Sequence, residues 1–353
     1  MDKLKIGIIG TGNIAAVHLD AYRKDPRCEI YALCDLDPKV LAAKGEQYGV
    51  KRLYADYNAM LKENPEIGAV SVCTWNSAHA PAAIAALNAG KHVLCEKPMA
   101  MNAREAAEMK KAAERNKKIL TIGFVRRFGS DCAMVQDFIN GGSVGEIYYA
   151  KAAYIRRNGC PGGWFGDKSR SGGGPLIDLG VHVIDLVRYL AGSPKAVSVY
   201  GATFTKLKNR AHLKSAKAWV SIGQSEKDVF DVEDLAAAMI RFDNGMVLNV
   251  ETSFTLNLEK DYGKMELFGV NGGIKLDPTL SLYTEMNGYL ADVKAAFPVE
   301  VSFEDVFAGE IRHFTDAVLT GSPLKVSADD GVEMMKILDA VYASAQSGHE
   351  VLV

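Results

Sequence analysis

Asp178 and His182 lie four residues apart in the segment "SGGGPLIDLGVHVIDLVRYLAG". That spacing is just over one helical turn, so both side chains share a face. Asp185 continues the stripe three residues later. An imidazole, with an ordinary pKa of about 6.5, can move protons near neutral pH, and a carboxylate can fix its tautomer. The pair also suits a histidine satisfied inside a core, or a shared metal ion. No further His or Cys cluster completes a ligand set, so metal ranks last and none is expected. A second feature is "HVLCEKPMA", His92 to Ala100, an apolar run that ends in Glu96, Lys97 and Pro98. Lys and Glu are seldom buried unless paired, so charges at a strand tip point to a cleft. The third is Gly10-Thr11-Gly12-Asn13-Ile14-Ala15, the GxGxxA turn. Gly10 permits the tight turn, Gly12 lets a pyrophosphate approach the backbone, and Ala15 lets helix and strand pack closely.

These residues need elements to hold them. "KIGIIG", "EIYALCD", "AVSVCT", "HVLCEK" and "ILTIGF" read as strands, and alanine-rich helical stretches separate them. Strands apolar on both faces, alternating with helices, give a parallel sheet covered on both sides and hence a doubly wound α/β fold. Gly10 and Gly12 follow the first strand and open a helix whose N-terminus suits an anion. Asp35 ends the second strand, 23 residues after Gly12, close to the roughly 20 expected of the acid that binds a ribose 2′-OH. A carboxylate there repels a 2′-phosphate, which favours NAD over NADP. Asp35 also fits a helix N-cap, although Asp37, just before Pro38, is better placed for that.

After Phe124 strands follow strands. "GEIYYAKAAYIRR", "KAVSVYGATFTK", "LAAAMIRF", "MVLNVETSF", "KMELFG", "GGIKL" and "LSLYTEM" predict a largely antiparallel, open-faced sheet in an α+β domain. Asp243-Asn244-Gly245 marks a tight turn between two of them. Pro175 opens a helix over about Leu176 to Ala191, with Leu179, Val183, Leu186 and Leu190 as its packing side, and Gly192 stops it. The glycine-rich loop 158–174 shows no clear element and is expected to be mobile. Two helices close the chain. The expected domains are 1–124, nucleotide-binding, and 125–353, substrate-binding and oligomerising.

Composition excludes several classes. The 353 residues are 48% hydrophobic and 24% charged with a net charge of −2, which suits a globular protein without affinity for nucleic acid or an anionic membrane. No apolar run approaches the ~18 residues of a spanning helix. "MDKLKIGIIGTG" enters a strand at once and leaves no room for a signal peptide. Six cysteines without a CxxC argue against a disulfide framework or structural zinc. Cys34, Cys73 and Cys95 read as buried hydrophobes in a reducing cytoplasm. Cys160, in "NGCPGGW", reads as a loop residue or a site-lining one. The apolar run "LAAAMIRF" suggests self-association through the second sheet.

Taken together, "GIIGTGNIAAVH", "CDLDP", "CTWNSAHAPAAIAALNAGKHVLCEKPMA", "GFVRRF" and "GGGPLIDLGVHVIDLVRYLAG" resemble the Gfo/Idh/MocA family of NAD(P)-dependent oxidoreductases over essentially the whole chain. The Glu-Lys-Pro block and the Asp-x-x-x-His helix are its specific parts. The resemblance implies NAD-dependent oxidation of a secondary ring hydroxyl of a sugar, sugar derivative or inositol, run reversibly. It implies a catalytic set of Lys97, Asp178 and His182: His182 takes the hydroxyl proton, Asp178 orients that group, and Lys97 stabilises the developing alkoxide. Glu96 would anchor the loop and balance Lys97. Cofactor contacts fall on Gly10, Gly12, Asn13, Ile14, Asp35, Thr74, Asn76, His79, Glu96 and Lys97. Trp75 stands where relatives often have proline, and its indole could stack on or wall the nicotinamide pocket, or pack outside it. Substrate contacts fall on Lys97, Arg126, Tyr154, Arg156, Trp164, Arg170, Asp178 and His182. Two rivals are a redox-neutral glycoside-cleaving enzyme that passes through a transient ketone and a non-catalytic nucleotide sensor. Net NADH release separates the first, and the retained Lys97, Asp178 and His182 weigh against the second.

Overall fold

The computed structural model describes all residues except 1, 209, 211, 214–219, 222–227, 278, 297, 298 and 300. The chain forms two compact units: Met1–Val125 with Phe303–Met335, and Arg126–Ser302 with Lys336–Val353. The first unit thus contains a late stretch that a division at residue 124 assigns to the second.

In the first unit six parallel strands lie in the order β3-β2-β1-β4-β5-β6. They are β1 (Leu4–Ile9), β2 (Cys28–Cys34), β3 (Leu53–Tyr54), β4 (Ala69–Val72), β5 (His92–Cys95) and β6 (Leu120–Ile122). β3 has two residues, too few to leave a pattern in the sequence. The helices α1 (Asn13–Lys24), α2 (Pro38–Tyr48), α3 (Tyr57–Glu63), α4 (His79–Asn88) and α5 (Ala103–Asn116) connect them. Strand order reverses between β1 and β4, which opens the crevice where such sheets take ligands. Ile311 and Phe314, from the helix Phe303–Thr320, share one core with Ile8, Leu19 and Tyr22. Each such side chain contributes about 1.5–3 kcal/mol when withdrawn from water, so this helix belongs to the nucleotide-binding half energetically as well as spatially.

The second unit carries a nine-stranded sheet among the described residues, ordered β14-β13-β12-β11-β7-β10-β9-β8-β15. Its strands are β7 (Ile147–Ile155), β8 (Ala196–Phe204), β9 (Leu235–Phe242), β10 (Val247–Ser253), β11 (Tyr262–Gly269), β12 (Gly272–Asp277), β13 (Ser281–Met286), β14 (Tyr289–Val293) and β15 (Val351–Leu352). β7 and β10 run parallel, and the other neighbours run antiparallel. Gly245, at a φ of 87°, makes the β9–β10 turn. Although "LAAAMIRF" is apolar at nearly every position, its burial alternates: Ala236, Ala238, Ile240 and Phe242 are buried, and Met239 is exposed. The strand therefore has one covered face and one open one.

The helix that carries His182 is Val181–Leu190. The sequence predicts a regular helix from Leu176. Instead Leu176–Gly180 forms a wider turn closed by the Val181 N–H on the Leu176 carbonyl, an i→i+5 bond. Such turns are rare and recur at functional sites. Leu179, Val183, Leu186 and Leu190 are buried as expected, but so are Val181, Ile184, Asp185 and Arg188. Asp185 receives two bonds from buried Arg127, Nε at 2.9 Å and a terminal nitrogen at 2.6 Å, and the Arg127 guanidinium lies 4.5 Å from the centre of the Tyr189 ring. Asp185 thus fastens the helix to "GFVRRF". Arg127→Met should cost about 3–5 kcal/mol of stability by leaving a buried carboxylate without its counter-charge. Adding Asp185→Leu should recover most of that loss, read by chemical denaturation.

Candidate active site

In the first unit, Gly10 sits at the end of β1 with φ 87°, and a Cβ there would lie 2.6 Å from the Cys73 carbonyl oxygen. Only glycine fits. Gly12 is the N-cap of α1 and has no side-chain cap bond. A Cβ at Gly12 would meet nothing within 4 Å, so backbone and open space face each other where a pyrophosphate needs them. The Asp35 carboxylate accepts from the Thr11 N–H at 2.6 Å and the Thr11 hydroxyl at 2.9 Å. It is thereby held beside the glycine turn at the tip of β2. Asp37, not Asp35, caps α2, accepting from the Lys39 and Val40 N–H groups at 2.8 and 3.3 Å. This donor set and clearance fit a dinucleotide with a free 2′-OH.

The loops after β4 and β5 are tied by His79. Its Nδ1 is 2.7 Å from the Pro98 carbonyl oxygen and its Nε2 is 3.1 Å from that of Thr74. Burial pulls its pKa down, with Pro98 acting against this, so the neutral ring gives its one proton to one carbonyl. Trp75 is half-buried and Asn76 buried beside it. The Lys97–Pro98 peptide is cis. Gly331 lies against this turn, where a Cβ would be 2.5 Å from Met99 Sδ. Glu96 is buried and accepts the Lys97 N–H at 3.1 Å, while His18 Nε2 lies 2.9 Å from its other oxygen. His18 escaped the sequence reading, and its only signal is a polar residue among the buried positions Ala15, Leu19 and Tyr22 of α1.

In the second unit the wide turn is built on Glu233. Its carboxylate accepts from the Gly174 N–H at 2.9 Å, the Leu176 N–H at 3.2 Å and the Tyr342 hydroxyl at 3.0 Å. These are donors that a helix start leaves without partners. A Cβ at Gly174 would lie 2.0 Å from the Glu233 carbonyl oxygen, and one at Gly173 would lie 2.0 Å from the Tyr342 hydroxyl. The glycines before Pro175 are there for close approach. Nothing in the sequence singles out Glu233, one acid in "DVEDL" far along the chain.

Asp178 is buried in this turn, and His182 follows half-buried on the next. Tyr154 and Arg156 lie at the end of β7, and the Asp178 charge acts on the Arg156 guanidinium. Burial works against the Arg156 guanidinium, but Asp178 and Tyr154 outweigh it and raise its pKa. Arg156 donates to the Gly159 carbonyl at 2.9 Å and reaches the Tyr154 hydroxyl at 3.4 Å. Trp164 stacks on Phe165 with ring centres 3.9 Å apart. Arg126 pairs with Asp131 at 2.8 Å, and Arg170 pairs with Asp167 at 2.7 Å on the surface. Cys160 is fully buried and packs with Leu179 and Phe254. Loop 158–174 has more structure than its glycines suggest. It contains short turns at Gly163–Gly166 and Lys168–Ser171. Asp228 accepts the Gly163 N–H at 2.5 Å, and Asp231 accepts the Lys168 N–H at 2.7 Å.

Residues 4–124 match the oxidoreductase family's NAD-binding Rossmann fold, and residues 136–353 match its C-terminal alpha/beta domain. The chain belongs to the Gfo/Idh/MocA oxidoreductase family. It is similar to D-glucoside 3-dehydrogenase of Escherichia coli strain K12, at 34% identity over 99% of this chain and 97% of that one. It is 30% identical to levoglucosan dehydrogenase of Pseudarthrobacter phenanthrenivorans over 78% of this chain and 73% of that one. A solved structure of levoglucosan dehydrogenase in complex with NADH and levoglucosan superposes with a TM-score of 0.86 at 25% identity, covering 100% of both chains. The protein is an NAD-dependent oxidoreductase acting on CH–OH groups. No helix among the described residues is long and apolar enough to cross a membrane.

The wide turn gives one expectation. Gly174→Ala must displace the Glu233 backbone, and misplacement of about 1 Å costs on the order of 100-fold in rate. Turnover should fall by that order while NAD affinity, measured by fluorescence titration, stays at the wild-type value.

Proposed function

We propose that the protein oxidises a secondary ring hydroxyl of a glucoside or a related pyranose sugar, reversibly. The observation that carries this reading is the set of polar groups at the wide turn: Asp178 buried, its charge felt by Arg156, Arg156 bonded to Tyr154, and His182 one turn on. These residues offer both donors and acceptors to vicinal hydroxyls, and Trp164 adds an apolar face for the sugar ring. End-to-end similarity to a glucoside dehydrogenase supports the same substrate class.

In this reading His182 accepts the hydroxyl proton, Asp178 orients the hydroxyl, and Lys97 stabilises the negative charge that grows on its oxygen. The nicotinamide supplies the hydride acceptor when bound. Gly10, Gly12, Asn13 and Ile14 hold the pyrophosphate, and Asp35 holds the adenosine ribose. Thr74, Trp75, Asn76, His79 and Glu96 shape the nicotinamide end. Arg126 and Arg170 already answer to carboxylates and contribute to sugar binding only at its rim.

The reading also includes a homo-oligomer in the cytoplasm. The open face of the second sheet presents Tyr200 beside Met239, a registered pair, each about half exposed. A second copy is the occupant that suits this face, and light scattering at micromolar concentration should give a mass above one chain. All six cysteines are free and buried, as a reducing compartment allows.

Methyl glucosides in excess over enzyme should release stoichiometric NADH, read by absorbance. His182→Ala should leave NAD affinity intact while oxidation drops by about two to four orders of magnitude. Turnover near wild type in that variant would reduce His182 to packing.

A further inference from the structure

Behind the Glu96–Lys97 turn lies a cluster that the hydride transfer does not use. His18 from α1, Glu96 after β5 and Glu310 from the helix Phe303–Thr320 are all buried, and each offers a nitrogen or oxygen within 4.8 Å of the others. One oxygen of Glu96 faces His18, and the other holds the Lys97 N–H. His18 Nδ1 lies 3.4 Å from Ser71 Oγ, which is 2.8 Å from the Tyr22 hydroxyl. Glu310 is 2% exposed, and neither of its carboxyl oxygens has a hydrogen-bond partner among the described residues.

One imidazolium and one carboxylate already cancel. A second carboxylate charge there would be desolvated, unbonded and next to the first. Buried acids in that position keep their proton instead. We propose that His18, Glu96 and Glu310 form a buried proton-binding site, an imidazolium–carboxylate pair closed by Glu310 in its acid form, which leaves Glu96 ionised to fix the Lys97 backbone. The positioning role rests on the assignment of Lys97 to the reaction; the protonation of Glu310 does not.

The titratable groups around the cluster agree. Burial and the Glu96 charge push Glu310 well above the usual carboxylate range. At Glu96 burial acts upward, but His18, Lys97 and His79 together bring it down. At His18 burial acts downward, while the Cys73 side chain and Glu96, 2.9 Å from Nε2, act upward and favour the imidazolium. Burial raises the neighbouring Tyr22, Cys73 and Cys95, which keeps them neutral. The folded state therefore holds a proton on Glu310 that the unfolded chain releases above about pH 4.3. The sign follows: stability falls with rising pH relative to a chain lacking that acid.

Glu310→Gln, a neutral isostere, tests this against wild type. Its melting temperature should gain on wild type steadily from about pH 6 to pH 9. Infrared spectra of folded wild type at neutral pH should show a protonated-carboxyl C=O stretch that the variant lacks. A pH-independent gap, no such band, or one equivalent of divalent metal in the purified protein by mass spectrometry would overturn the proposal, the last by making the cluster a cation site. Both readouts stand even where a Glu96 variant folds poorly. Glu96→Gln should lower kcat on the order of tenfold with KM for the sugar near wild type, and unchanged kcat would remove the positioning role. Wild-type turnover in Lys97→Ala would instead remove Lys97 from the reaction and leave the Glu310 results as they are.

Discussion

A carboxylate withdrawn from water must be given donors or a proton, and both units of this protein use that constraint to hold a turn. Glu233 gathers the Gly174 and Leu176 N–H groups and so sets the start of the segment that carries Asp178 and His182. Glu96 takes the Lys97 N–H and is itself answered by His18. Asp35 joins the tip of β2 to the glycine turn through Thr11. In each case the acid fixes backbone at or beside residues that the proposed reaction uses. Residues that the proposed reaction uses are thereby placed by carboxylates fixed within the fold.

This division of labour explains what the sequence disclosed. Gly10, Gly12, Asp35, Lys97, Asp178 and His182 announce themselves because their spacing relative to a strand tip or a helical turn is fixed by local geometry. The parallel sheet was legible for the same reason, since its strands are apolar runs cut by glycine and helix. Glu233, Tyr342 and His18 were not legible. They meet their partners only after folding, with Glu233 59 residues from Gly174 and His18 78 from Glu96. The wide turn at Leu176–Gly180 was also hidden, because its apolar spacing is close to that of a regular helix and its cause lies on another element. Arg126 and Arg170 show the converse. Their type suggested ligand contacts, while the acids that engage them, Asp131 and Asp167, lie within five residues and were readable as partners.

The place of Phe303–Thr320 in the first unit bears on how the chain is made. Ile311 and Phe314 complete a core whose other members come from the first hundred residues. During synthesis that core must wait, with its apolar face uncovered, until every strand of the second sheet but β15 has emerged. Contacts of such long sequence separation are slow to form, and exposed apolar surface on an unfinished domain invites aggregation. A fragment ending near residue 125 would meet the same problem permanently, so the nucleotide-binding half is a unit of structure without being a contiguous unit of biogenesis.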